Sequence, residues 1–230
     1  MRIGRPRRAA AATGAAVALL LLAGCGDLPP GAASVVNGHT ISRDQVDELA
    51  DAQCAGVKLA ATQGQGQKVP RKQLTQRALG LLIDIRLNLD YGKSLGLSPR
   101  VEQTTADFAQ VQPLIKALPK QYQSYLDDVF HQWADGRDMV EQVGEQASGQ
   151  AATSANADQV LNAGYVKRED WLKKDASITT DPRYAPGKVG WPGEGDSSVS
   201  TPVSSYARSA AKAQPSTAFL EALPAGQRCG

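Results

Sequence analysis

His131, Asp135 and Asp138 stand at i, i+4 and i+7, so on a helix an imidazole and two carboxylates share one face. Those are donors a divalent metal accepts. They lie opposite an apolar stripe, however, where charged residues ordinarily meet water. The expectation is a solvated polar face and no metal site. Serine, histidine and acid never meet in a G-x-S-x-G context. The acids are scattered rather than paired, which leaves glycosidase chemistry no foothold. Gly64-Gln65-Gly66 lacks the strand and helix that frame a phosphate-binding loop. The three thiols, Cys25, Cys54 and Cys229, form no Cys-x-x-Cys, so neither a zinc knuckle nor a thioredoxin-type site is supported. Neither a catalytic residue nor a cofactor is expected.

The first thiol has a context of its own. Arg2, Arg5, Arg7 and Arg8 precede an apolar run from Ala9 to Ala23, the layout of a secretory leader. The run is too short to span a bilayer comfortably. Leu22-Ala23-Gly24-Cys25 resembles the bacterial lipobox, which implies residues 1–24 as a lipoprotein signal and a diacylglyceryl group on Cys25. Two acyl chains anchor stably where one is marginal. Export by the general or the twin-arginine route stays open, since Arg7-Arg8 is followed only by alanines. Residues 25–33, with Pro29-Pro30-Gly31, read as a tether.

Charge points away from nucleic acid. The chain of 230 residues carries 25 Lys+Arg against 23 Asp+Glu. Without the four leader arginines the balance turns slightly acidic, so no broad basic face remains to grip phosphate. In an oxidising compartment Cys54 and Cys229 are expected to pair. Closing so long a loop is worth about 5 kcal/mol in the chain-entropy picture, and would staple the C-terminus onto the first helix.

The elements that position these groups read as helices with one small sheet. Ser34-Val35-Val36 and His39-Thr40-Ile41 flank Asn37-Gly38, a two-residue hairpin signal. Ser42 and Gln45 have capping-box spacing, with Ile41 and Val46 as a staple. The first helix then carries Val46, Leu49, Ala50, Gln53, Cys54 and Val57 inward. From Pro70 to Leu95 a second helix places Leu74, Ala78, Leu81, Leu82, Ile85, Leu89 and Leu95 in one stripe. Gly96 ends it, and Ser98-Pro99 is expected to cap a third helix with Val101, Thr105, Phe108 and Val111 inside, interrupted at Pro113. A fourth follows Pro119 with Tyr122, Leu126, Val129, Trp133, Gly136, Val140 and Val143, widened by Phe130. A short helix is expected from Ala157 into Tyr165. An extended piece, Ala176–Thr180, should pair with the hairpin, because two strands alone are marginal. After Asp181 the Pro, Gly and Ser content indicates loop, with Phe219, Leu220, Leu223 and Cys229 docking the end. The fold class is therefore mainly α, four to five helices forming a cradle with a small antiparallel sheet. The βα alternation of solute-binding lipoproteins is absent.

Val36-Asn37-Gly38-His39-Thr40-Ile41-Ser42 through Val46 resembles the opening of SurA- and PrsA-type chaperones. Leu81–Leu87 and Ser94-Leu95-Gly96-Leu97-Ser98 with Val101 look like that family's long second helix and the junction after it. Asp181-Pro182-Arg183-Tyr184 is similar to a motif trailing the peptide-binding domain in actinobacterial relatives. The resemblance covers residues 34–184 and leaves 185–230 as a tail. It implies a helical cradle that holds unfolded or partly folded exported polypeptides at the outer face of the cell membrane. Many members insert a parvulin-type prolyl isomerase, for which this chain has no room between Gln150 and Asp181, so no catalysis is expected. Tyr122, Tyr125, Phe130 and Trp133 are then the peptide-binding candidates. They have a second reading as core, since a helix must bury one face. An interaction lipoprotein docking one dedicated envelope partner is the alternative function.

Overall fold

The computed structural model describes residues 28–184, 204–210, 212 and 215–230. The leader, Cys25 and the segment 185–203 lie outside the described residues.

Asn37 and Gly38 both take positive φ, 49° and 81°, which turns β1 (Ala32–Val36) back into β2 (His39–Ser42) with the handedness a twisted hairpin needs. Ser42 and Gln45 form the full capping box and start α1 (Arg43–Thr62), as their spacing indicates. The tether ends earlier than its composition suggests. Ala32 and Ala33 are buried within β1, since small side chains let the strand lie close to the helices. β3 (Val69–Pro70) leads into α2 (Arg71–Ser94), so Pro70 belongs to a strand and the helix begins one residue later. Gly96 at φ 71° closes α2. Its N–H donates to Lys93 O at 3.0 Å, and the Leu97 N–H donates to Gly92 O at 3.0 Å, the paired bonds of a Schellman turn.

Burial of α2 goes beyond one stripe. Leu79, Ile83, Leu87 and Tyr91 are buried with Leu74, Ala78, Ile85 and Leu89, because α1, α4 and β1 pack around it. Leu81 and Leu82 are half-buried. Leu95, the C-cap residue, is 51% exposed.

α3 (Val101–Ala117) departs from its expected start, face and length. Its N-cap is Arg100, with no side-chain cap of its own; the expected Ser98 cap is replaced by a carboxylate from another helix, described below. Thr104, Asp107, Phe108 and Ile115 face inward, while Val101 is 79% exposed. The helix continues through Pro113, which costs the bond to Ala109 O but not the helical path.

α4 (Lys120–Ser148) buries Leu126, Val129, Gly136, Val140 and Val143 as the stripe requires, and adds Ala134, Met139 and Gly144. α5 (Ala157–Asp175) is longer than expected. Val160, Leu161, Gly164, Arg168 and Leu172 form its inner face, and a glycine and an arginine among them hide the stripe from a hydropathy reading. β4 (Ile178–Thr180) pairs antiparallel with β1, giving the sheet order β2-β1-β4. After the 3₁₀ turn Pro182–Tyr184, the described C-terminal elements are α6 (Ser205–Ala210), α7 (Thr217–Ala222), a 3₁₀ turn (Ala225–Gln227) and β5 (Arg228–Cys229). β5 pairs with β3. The chain is mainly α with a small antiparallel sheet.

α4 touches its neighbours through glycines. A Cβ on Gly144 would sit 1.9 Å from Val160 O, and one on Gly164 2.1 Å from Val140 O. The α4 and α5 backbones are therefore in direct contact. By contrast, a Cβ on Gly80 of α2 would meet nothing within 4 Å. Gly144→Ala is expected to lower stability in urea unfolding by about 2 kcal/mol or more, through forced separation of the helices. Gly80→Ala should raise it by about 0.5 kcal/mol, through helix propensity.

Candidate functional site

Tyr122, Tyr125, Phe130 and Trp133 are all half-buried. Tyr122, Tyr125 and Phe130 pack against the main core, and Trp133 packs with Tyr125 on Ile85, Leu89, Val129 and Met139. Phe130 meets Trp133 edge-on at 6.1 Å, and the Arg137 guanidinium lies 5.7 Å over the Trp133 ring. The Tyr125 hydroxyl donates to Gln45 O at 2.7 Å, tying α4 to the first turn of α1. Burial, then the charge on Glu48, pushes that hydroxyl up to about 12. These rings are chiefly core, with one edge left toward solvent.

His131, Asp135 and Asp138 separate. His131 is exposed and stacks on Phe108 at 3.7 Å. Asp135 is half-buried, and its carboxyl is raised by desolvation. Asp138 is fully buried, against the expectation of a solvated face. It accepts the Arg100 N–H and the Arg100 Nε–H, both at 2.7 Å, and Gln142 Nε2 at 2.9 Å. Arg100 also donates to Glu141 and Glu145, each at 3.0 Å. One guanidinium thus satisfies three carboxylates of α4 at the start of α3, and desolvation still raises the Glu141 carboxyl. Among the described residues no three His, Cys, Asp or Glu side chains are placed to hold a metal ion. An open cleft of ≈ 590 Å³ beside this cluster is lined by Arg100, Gln142, Glu145, Gln146, Gly149, Gln150 and Ala151.

A second cleft, ≈ 220 Å³, lies where the chain returns after β4, lined by Asp47, Lys72, Thr75, Gln76, Arg183 and Tyr184. Two polar anchors place this return. Asn37 takes Ser177 N–H on its Oδ1 at 2.8 Å, gives its own N–H to Ser177 O at 2.8 Å, and donates from Nδ2 to Asp90 at 2.9 Å. Asp181 donates its N–H to Ala33 O at 2.9 Å. Its carboxylate accepts from Arg183 Nη2 at 2.6 Å and from Arg43 Nη2 at 3.1 Å. The hydrogen bond from Arg183, above all, holds the Asp181 carboxyl down at about 2. Burial and the nearby Asp47 push the Tyr184 phenol up. An ammonium, a guanidinium, a carboxylate, hydroxyls and an amide therefore line the cleft.

Cys54 and Cys229 are joined as a disulfide, with Cα atoms 5.2 Å apart. The bond holds β5 against α1, as the oxidising-compartment reading anticipates.

Comparison with protein-family models, with curated proteins and with solved structures returns no match.

Sequence reasoning missed Arg100, the anchoring role of Asp181 and the double role of Asn37. Arg100 follows Ser98-Pro99 and resembles any surface arginine until α4 is placed beside it. Asp181-Pro182 marks a turn, but its partner Arg43 is remote in sequence. Because the Asp181 carboxyl is lowered on folding from near 3.9, it contributes stability above about pH 4. That contribution fades as pH falls toward its folded value of about 2. Asp181→Asn is therefore expected to be less stable than the parent at pH 7, with the gap closing between about pH 4 and pH 2 in urea midpoints.

Proposed function

We propose that this chain is a lipid-anchored, extracytoplasmic polypeptide-binding protein of the SurA/PrsA N-terminal type that acts by holding exported chains, without covalent chemistry. One observation carries the reading: the separate motifs behind the resemblance meet in the fold. The Asn37-Gly38 turn clasps both α2, through Asp90, and the approach to β4, through Ser177. The residue after the hairpin, Arg43, holds Asp181 of the Asp-Pro-Arg-Tyr segment. The Asp-Pro-Arg-Tyr segment so held supplies Arg183 and Tyr184 to a polar-lined cleft completed by Asp47 of α1 and by Lys72, Thr75 and Gln76 of α2. Anchoring through Cys25 would hold this face where translocated chains emerge.

A second reading is docking of one dedicated envelope partner, and the character of the surfaces favours it on one point. The four aromatic candidates are packed into the core, and both clefts are lined by charged and amide groups, which suit selective more than promiscuous recognition.

The chain from residue 25 onward, at equimolar ratio, is expected to slow the light-scattering aggregation of a chemically unfolded client. No slowing of any client, together with a single stoichiometric partner in a pull-down, would replace the first reading by the second. Cys25→Ser should abolish incorporation of labelled fatty acid and release the chain from the membrane fraction. Retained labelling would refute the anchor.

A further inference from the structure

Residues 215–230 form a strap that docks on the body through its last residues. Ser216 caps α7 by accepting the Phe219 N–H at 3.3 Å, and Leu220 and Leu223 are buried. Arg228 closes α7 by donating to Glu221 O at 2.6 Å and Leu220 O at 3.3 Å. The turn Ala225–Gln227 lies against α2. β5 then adds itself antiparallel to β3, with Cys229 opposite Val69 and Arg228 opposite Pro70. Cys229 is fully buried in the main core with Cys54, Leu74 and Ala78, against which Val57 and Val69 also pack. Across the rim Lys68 reaches Glu221 at 3.6 Å.

What the strap occupies is a groove between α1, β3 and the start of α2. There β3 receives the two residues of β5 by main-chain pairing, with Cys229 set into the core beside it, which is how sheets recognise peptides by strand addition. Both strands of the pair are only two residues long, so affinity there must come mainly from side-chain burial.

We propose that this groove is a binding site for polypeptide segments that pair with β3 and bury a side chain beside it, and that residues 215–230 are its intramolecular occupant, latched by Cys54–Cys229. The proposal rests on the reading of the chain as a polypeptide binder. A tethered segment competes at an effective concentration in the millimolar range, and a covalent latch removes exchange altogether. Unlatching takes one thiol–disulfide exchange. An external dithiol gives up two electrons and two protons and becomes a disulfide, while Cys54 and Cys229 become two thiols. The strap can then leave the groove to a client.

The test uses the whole chain from residue 25, in the disulfide form and as the Cys54→Ser/Cys229→Ser variant. The probe is a fluorescent, reduced and carboxymethylated unfolded protein, read by anisotropy. The serine variant is expected to bind it about tenfold or more tightly than the disulfide form. A synthetic peptide of residues 215–230, with serine in place of Cys229, should compete, and a photocrosslinker placed at Lys68 should capture the probe. The parent chain treated with dithiothreitol should gain the same affinity with its helical circular dichroism retained, and lose it on reoxidation. Equal affinity of latched and unlatched forms, or crosslinking without competition by the peptide, overturns the proposal. So does unfolding on reduction, because the groove would then not exist apart from its strap. Aggregation suppression by the disulfide form as strong as by the serine variant would leave the polypeptide-binding reading standing and this site refuted; no binding by either form would refute both.

Discussion

Two helix backbones in direct contact set the geometry of this chain. At Gly144 and Gly164 there is no room even for a methyl group between α4 and α5. Gly92 and Gly136 hold α2 nearly as close, against Met139 and Asn88. Such spacing leaves no slack for side chains to redistribute, since close-packed interiors transmit small displacements. Seated on α4, α5 brings Arg168 within reach of Asp84, at 2.6 Å, and of Asn88 on α2. The end of α5 then delivers β4 to β1.

Charge inside the bundle follows from the same closeness. Asp138 and Glu141 are buried on α4, a state that is costly unless each carboxylate is paired and hydrogen-bonded. Arg100 does both at once, and its backbone N–H goes to Asp138 as well. A buried ion pair is weak evidence for stability. Its effect here is positional: it decides where α3 starts, and so which face of α3 turns inward. Arg137 of α4 in turn faces the buried Asp107 of α3 at 3.3 Å, an ion pair without a hydrogen bond between the two atoms.

The local signals were legible. The Asn37-Gly38 turn, the Ser42–Gln45 box, the Gly96 stop and the α4 stripe all depend on neighbours within a few residues, and each stands where its pattern puts it. So does the Cys54–Cys229 bond, inferred from compartment and thiol count. What escaped depends on partners distant in sequence. Thr104 and Asp107 face inward because Arg137 awaits Asp107, while the apolar Val101 faces water. α5 continued through Arg168 because Asp84 neutralises it and the Asn88 amide oxygen accepts a further hydrogen bond. Pro113 did not break α3. Hydropathy treats every charge as exposed, and so misplaces those charges that a second helix satisfies. The cleft at Arg183 and Tyr184 was invisible for the same reason, being made by three elements that only tertiary contact joins. The four aromatic candidates lie half-buried on α4, packed against the core that α4 shares with its neighbouring helices.

The link between Cys54 and Cys229 also divides the molecule mechanically. It turns residues 54 to 229 into a closed covalent ring, leaving the hairpin and the first part of α1 as an unringed lead. Tension applied at the N-terminal end therefore first strips β1 from between its two neighbouring strands and frays α1 as far as the sulfur. Beyond that point the load passes from one side of the ring to the other through the sulfur bond. The helices within the ring can be loosened by such a pull, yet they cannot be drawn out into a line.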